Sequence, residues 1–422
     1  MTKLNYKNIS NIFLTLLLLI VGAVAISSCQ EVRGTLPEYP VREKTLLVYM
    51  IANNDLSSNA VSNLQDMQKG YVPTKEEGNI VVYYHIPKHN PLLLNIYKDS
   101  QGEVKVDTSY RFPATNSATK EALSSAMKVT ATLFPARENG LILWSHGTGW
   151  VPEGFYGNPS QYSSNASVQS SNAIAVNGVE EDPYAHLIKM VKNVEDKADV
   201  KSFGSDSGIE MEIAELKSAL AHKVSYIIFD ACLMGGIEVA YELKDSTDYI
   251  VFSPAEVMST GMPYSKIMEH IFDGETNLEA IAEEYYDYYD VQIGTNRSAT
   301  ITLVKTSELE ELASVTKTIF DINRAKIRTV NTSNIQRYFR GSKHWFYDFK
   351  DFISRVANSE QMVQFNAALD KVILYKAATP YFIDITVANN SGLSTYIPVP
   401  TNNALDNYYK NLEWNKACGM IE

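Results

Sequence analysis

"VSYIIFDACLMGG" (residues 224–236) is the stretch whose reading decides the fold. Val224–Phe229 is apolar except for Ser225, the near-continuous run of a strand covered on both faces. Gly235 and Gly236 then permit a tight turn, and a helix starts near Ile237. "GLILWSHGTGW" (140–150) repeats the plan: a short buried strand running into a glycine loop. "KTLLVYMIA", "NIVVYYHI" (79–86) and "DYIVFSP" (248–254) are three more such strands, and "NPLLLNIYKD" is a further, more exposed one. Helical segments lie between them. One is "SATKEALSSAMKVTATLF" (117–134), with Ser117 as N-cap, and another is "MEIAELKSALA". Alternating short strands and helices imply an α/β fold with a mainly parallel sheet covered on both faces.

In such sheets ligands bind beyond the carboxyl ends of the strands. His146 and Cys232 both follow predicted strands at those ends. They can therefore share one edge of the sheet although 86 residues (232 − 146) separate them.

The chain has 422 residues, 45% of them hydrophobic and 20% charged, which fits a globular protein with a substantial core. Its net charge of −12 disfavours a nucleic-acid binder. Residues 1–28 read as a signal peptide, with a basic n-region and the apolar run "IFLTLLLLIVGAVAI". Ile26-Ser27-Ser28-Cys29 resembles the lipobox of bacterial lipoproteins, which implies cleavage before Cys29 and lipidation of its thiol. Residues 29–43 are a tether, 44–297 the main domain and 298–422 a C-terminal subdomain. In that subdomain helices are expected at 345–357 and 360–377 and a late strand at 392–400. Residues 151–180 form a long Ser/Asn/Gly-rich loop. There is no internal repeat.

Once Cys29 is set aside, Cys232 and Cys418 remain. They could pair in a disulfide, as exported proteins allow. Alternatively, Cys232 is a nucleophile or a small buried core residue. Its place before glycines and a helix start sets it near backbone N–H groups that favour anions. A cysteine nucleophile needs an acid–base partner, and His146, followed by Gly147 and Gly149, is the candidate. The competing reading of His146 is a satisfied core histidine. His85 also ends a strand but lacks a glycine, and reads as part of an exposed exit loop. No metal-binding spacing is present. Four tyrosines in "EEYYDYYD" (283–290) read as packing.

"LILWSHGTGW" and "IIFDACLMGGIEVAYEL" together resemble the clostripain family of cysteine peptidases, in the caspase-like clan. So do "LLVYMIANNDL", "SFGSDSGIEMEIAELKSAL", "FSPAEVMSTGMPY", "WFYDFKDF" and "GLSTYIPVP", in order, from about Lys44 to the C-terminus. The resemblance implies a caspase-like α/β/α sandwich and a His146–Cys232 dyad that hydrolyses protein or peptide substrates through an acyl-enzyme. It also implies an oxyanion site at the backbone N–H groups of Gly147 and Cys232. No third, orienting carboxylate is required in this clan.

The resemblance further implies that Asp230, two residues before Cys232, shapes an acidic pocket for Arg or Lys at P1, where a carboxylate can pair with the cation; the competing reading is an Asp that fixes a loop or caps a helix. "SPAEVMSTGMPY" keeps Glu256 but is less acidic than its counterpart in basic-specific relatives. Some relatives cut themselves between the two motifs. Residues 151–188 contain no Lys or Arg, so the expected sites are Lys189, Lys192, Lys197 and Lys201. Some relatives depend on calcium, but nothing here names ligands, and no cofactor is required. The lipobox places the protein outside the cytoplasm on a lipid anchor, in the outer membrane, facing the periplasm or the exterior. The reading from another class is a binding lipoprotein without turnover on the same scaffold.

Overall fold

Of the 422 residues, the computed structural model describes 39–156, 203–341, 343–398 and 403–422. The first half runs β1 (Arg42–Ile51), α1 (Ser57–Met67), β2 (Gly78–His85), β3 (Leu92–Lys98), β4 (Val104–Arg111), α2 (Lys120–Leu133) and β5 (Ala136–Trp144). Next come the hairpin β6 (Phe203–Asp206) and β7 (Ile209–Met211), α3 (Ile213–Ala219), β8 (Val224–Asp230), α4 (Ile237–Leu243) and β9 (Thr247–Phe252). Helices α5 (Tyr264–Phe272) and α6 (Leu278–Asp290) lead to β10 (Thr300–Lys305) and the long α7 (Leu309–Ile327). The chain ends with β11 (Tyr347–Asp348), α8 (Phe349–Val356), α9 (Ser359–Val372), β12 (Ile373–Ala378), α10 (Asn403–Tyr409) and α11 (Glu413–Cys418).

Among the described residues, nine strands form one sheet in the order β12-β10-β9-β8-β5-β1-β2-β3-β4. The five inner strands β9, β8, β5, β1 and β2 are parallel, and the outer strands pair antiparallel. Side chains of β1 alternate between two cores, which explains its unbroken apolar run. Leu46, Val48 and Met50 pack with Leu64 of α1, Ile267 of α5 and Ile281 of α6. Leu47, Tyr49 and Ile51 face the layer holding Leu123 of α2, Leu216 of α3, Ile237 of α4 and Leu312 of α7. Burying each such side chain contributes about 1.5–3 kcal/mol, and a one-residue slip would exchange the two sets. The register is therefore strongly specified.

From β1 the chain crosses to β2–β4 on one side, then returns to place β5 on the other. The order reverses at the β1/β5 boundary, where open α/β sheets leave a crevice beyond the strand ends. The loops after β1 and β5 meet there.

Several expectations change. The expected C-terminal subdomain contributes β10 and β12 to the main sheet, and Val41–Glu422 form one compact unit. The helix expected over 360–377 stops at Val372. Residues 373–378 pair instead with β10, because their alternation of half-buried and exposed residues suits an edge strand. The late strand shrinks to Ser394–Thr395, paired with β11. The N-cap of α2 is Thr119, whose side chain accepts from Ala122 N–H; Ser117 serves a buried network described below. "NPLLLNIYKD" contributes β3, whose Leu93 and Ile96 are fully buried. His85 is also buried rather than in an exposed loop. Among the described residues no helix is long and apolar enough to cross a membrane.

Candidate active site

The sheet's register sets the two motifs side by side. Trp144 at the end of β5 is opposite Asp230 at the end of β8, so His146 and Cys232 both lie two residues past that rung. Ser145 N–H donates to the carbonyl of Asp230 at 3.3 Å. Beyond it the two backbones touch. A Cβ added to Gly147 would lie 2.4 Å from the carbonyl oxygen of Cys232 and 3.1 Å from its nitrogen. Only glycine fits there, which is the physical reason for the His-Gly pair. Gly149, at φ +63°, approaches the Leu233 carbonyl in the same way, with a would-be Cβ 2.6 Å away. Among the described residues neither the Gly147 nor the Cys232 N–H donates a hydrogen bond.

The turn after Cys232 is held against strain. Leu233 is left-handed (φ 61°) and fully buried, a conformation that costs a non-glycine residue on the order of 1–3 kcal/mol. Leu233 N–H donates to Ala255 O at 2.8 Å and Gly235 N–H to Ser253 O at 2.7 Å. The segment after β9 thus fixes the direction in which Cys232 leaves the strand.

That segment also covers the thiol. Val257 N–H donates to Cys232 Sγ at 3.2 Å, and the thiol donates to Val257 O at 3.5 Å. Burial pushes the thiol pKa up to about 12, with the charge of Glu256 adding to it and that of Asp230 less so; the Val257 N–H opposes the rise. The resting group is a thiol rather than a thiolate at neutral pH. Glu256 is paired with Arg340 at 2.7 Å. Cys232 and Cys418 are both free thiols, and Cys418 is buried in the core beneath α7.

His146 is 7% exposed. Its Nε2 lies 2.7 Å from Oδ1 of Asp55, in the loop after β1. Asp55 lies at the end of "LLVYMIANNDL", a stretch in which the sequence singles out no carboxylate. The available signal was positional: Asp55 follows the strand next to β5 on the sheet, but that adjacency exists only once strand order is known.

Asp230 is 4% exposed. Its Oδ2 accepts from Met262 N–H at 3.0 Å and from the Tyr264 hydroxyl at 2.9 Å. Burial raises its pKa to about 6 against these two bonds. In this arrangement Asp230 fixes the Met262–Tyr264 turn. Cys29 and the signal segment lie outside the described residues, as do Lys189, Lys192, Lys197 and Lys201. Among the described residues no three His, Cys, Asp or Glu side chains are grouped to hold a metal ion.

The clostripain family model (peptidase C11) matches residues 48–177 and 191–419. The structure is similar to that of an inactive zymogen C11 protease from Parabacteroides distasonis. That match has 29% identity and a TM-score of 0.72, and covers 90% of this chain and 99% of that one. It is similar in fold to a secreted C11 cysteine protease from Bacteroides thetaiotaomicron in complex with an irreversible peptide inhibitor, at 24% identity. There the TM-score is 0.71, with 89% and 99% of the two chains covered. A second structure of a secreted C11 cysteine protease from that organism, named iotapain, shares the fold at 22% identity, with a TM-score of 0.70 and coverage of 90% and 100%. No curated protein sequence matches the chain.

Proposed function

The chain belongs to the clostripain family of cysteine peptidases, and on that premise we propose that Cys232 and His146 are its catalytic pair. The observation that carries this reading is the backbone contact between Gly147 and Cys232 at the carboxyl edge of adjacent parallel strands. It sets the histidine turn and the cysteine turn against each other, with two N–H groups left to hold an oxyanion.

The chemistry follows from those groups. The Cys232 proton passes to His146, and the thiolate attacks the scissile carbonyl. An S–C bond forms, and the oxyanion rests on the Gly147 and Cys232 N–H groups. As the C–N bond breaks, the imidazolium protonates the leaving amine. Water, deprotonated by His146, then cleaves the thioester and regenerates the thiol. A thiol pKa near 12 disfavours the first transfer. Movement of the 256–257 cover, or a cationic substrate that offsets Glu256 and Asp230, would lower it.

Cleavage after Arg or Lys is the preferred specificity. Two carboxylates raise the thiol pKa, and a cationic P1 side chain near them would be favoured. Self-processing after one of Lys189, Lys192, Lys197 or Lys201 belongs to this reading, as do export and an anchor at lipidated Cys29. The secreted Bacteroides thetaiotaomicron proteases are in keeping with export. If Cys29 carries the anchor, Cys29→Ser should leave the membrane fraction.

The test is a panel of fluorogenic peptides with Arg, Lys, Asp, Asn or Leu at P1, run under reducing conditions beside Cys232→Ala. Turnover of Arg and Lys peptides, lost in the variant, is expected. Turnover of another residue alone would keep the pair and discard the basic pocket. No turnover, with and without calcium and after limited proteolysis, would favour the binding scaffold.

A further inference from the structure

We propose that Asp55 is a positioning residue for His146, making the catalytic pair functionally a Cys–His–Asp triad. This rests on the assignment of His146 and Cys232 above. Asp55 Oδ1 is 2.7 Å from His146 Nε2, the length of a charge-assisted bond. With Nε2–H given to the carboxylate, Nδ1 is the nitrogen left to take the thiol proton and deliver it to the leaving amine. The carboxylate fixes the ring's tautomer and orientation and stabilises the imidazolium that forms between the two transfers.

The pair is built to stay in place, because both ends are tied to the same hairpin. On the Asp55 side, Asn54 Nδ2 donates to Ser205 O at 2.6 Å, and its Oδ1 accepts from Leu56 N–H at 2.9 Å, closing a tight turn around Asp55. Asn53 Nδ2 donates to Asp206 Oδ1 at 2.6 Å. On the His146 side, Gly204 N–H donates to His146 O at 3.0 Å and Ser205 N–H to Ser145 Oγ at 3.2 Å. Ser145 Oγ in turn donates to Ile51 O at 2.9 Å, joining the ends of β1 and β5. Strand β6 therefore bonds to the backbone or side chains of residues on both sides of the Asp55–His146 contact. A histidine satisfied only as a core residue would need none of this alignment, nor a following glycine in backbone contact with Cys232. The topology supplies the reason for the site's location: β1 and β5 flank the point where strand order reverses.

The titratable groups around the His146 turn are Asp55 from the loop after β1, Cys232 and Asp230 from β8 and its turn, Glu256 from the segment after β9, and Asp206 from the hairpin. Of these only Asp55 bonds the His146 ring.

The experiment uses the full chain and one basic peptide, prepared both as an aryl amide and as an activated ester. Asp55→Asn should lower kcat/KM on the amide by about 10²–10⁴-fold, mostly in kcat. The loss on the ester should be at least about tenfold smaller, because its leaving group needs less help from an acid. Asp55→Glu should recover part of the rate on the amide; it also serves as the informative variant should Asp55→Asn not fold. Wild-type rates in Asp55→Asn, or equal losses on amide and ester, would overturn the inference while His146→Ala still abolishes turnover. Full activity in His146→Ala would overturn the catalytic assignment itself, and the role of Asp55 with it.

Discussion

Two histidine–aspartate pairs stand at the carboxyl edge of the sheet, one on each side of β1. His146 meets Asp55 beyond β5, and His85 meets Asp206 beyond β2, Nδ1 to Oδ2 at 3.0 Å. Both are largely buried, and by residue type they are the same. Their surroundings differ. His85 is enclosed: Ser117 Oγ is 2.6 Å from the same Nδ1, and the Tyr83 hydroxyl shares that serine. Asp206 also accepts from Ser117 N–H at 2.6 Å and from Asn53. His146 instead opens onto a glycine turn in backbone contact with Cys232. The comparison teaches that a buried His–Asp contact is not by itself a catalytic signature. On the assignment proposed for His146 and Cys232, what the turn beyond the histidine touches separates a structural pair from a reacting one.

The sharpest way to break this contrast is to remove each histidine. His146→Ala should lower kcat by about 10³-fold or more with little change in thermal stability. His85→Ala should retain catalysis within about tenfold but lose about 3–5 kcal/mol, the usual consequence of stranding a buried charge. Peptide turnover and chemical denaturation of both variants measure this. Comparable loss of turnover in both would erase the distinction.

The buried acids sharpen it further through pH. The hydrogen bond and charge of His85 hold the Asp206 carboxyl below its usual range, against the desolvation that would raise it. A depressed pKa contributes stability above the unfolded value near 3.8, lost as pH falls through the folded one. Asp206→Asn should therefore flatten the acid limb of stability below about pH 4. Among the described residues Asp230 has no cationic partner, and its shift has the opposite sign. Its pKa of about 6 means the unfolded chain releases its proton first, so the wild type loses stability between pH 3.8 and 6. Asp230→Asn should remove that decline, on the order of 1–3 kcal/mol. Denaturant midpoints from pH 3 to 8 report both slopes; slopes of one sign in the two variants would contradict the assignment.

Smaller effects concern the turn itself. Gly147→Ala should lower kcat/KM by about 10²-fold, since its Cβ cannot coexist with the Cys232 carbonyl without moving an oxyanion donor. Glu256→Gln removes an anion that raises the thiol pKa. Iodoacetamide should then label Cys232 several-fold faster at pH 8, and an unchanged rate would place Glu256 too far away to matter.

The sequence carried the strands well because buried parallel strands have an unmistakable composition. His146 and Cys232 were legible for a related reason: each ends such a strand and precedes glycines whose freedom is needed only for close backbone approach. Asp55 was not, because its role depends on β5 lying beside β1 although β2–β4 intervene in the chain. His85 was misjudged for the same reason. Its partner Asp206 is 121 residues away (206 − 85), in a hairpin that local pattern cannot place. Residues 373–378 were misjudged because alternation in a short edge strand is easily absorbed into a preceding helix. Asp230 illustrates a finer limit. Its position beside Cys232 was plain, but its bonds to Met262 and Tyr264 come from a turn about 30 residues further on.

The most direct test of the central claim is the site of covalent capture. The protein is treated with a basic peptide carrying an irreversible thiol-reactive group, and the adduct is located by mass spectrometry in wild type, His146→Ala and His85→Ala. The account predicts one adduct, on Cys232, formed at similar rates in wild type and His85→Ala and strongly slowed in His146→Ala. An adduct on Cys418, or capture on Cys232 that slows with loss of His85 and not of His146, would contradict it.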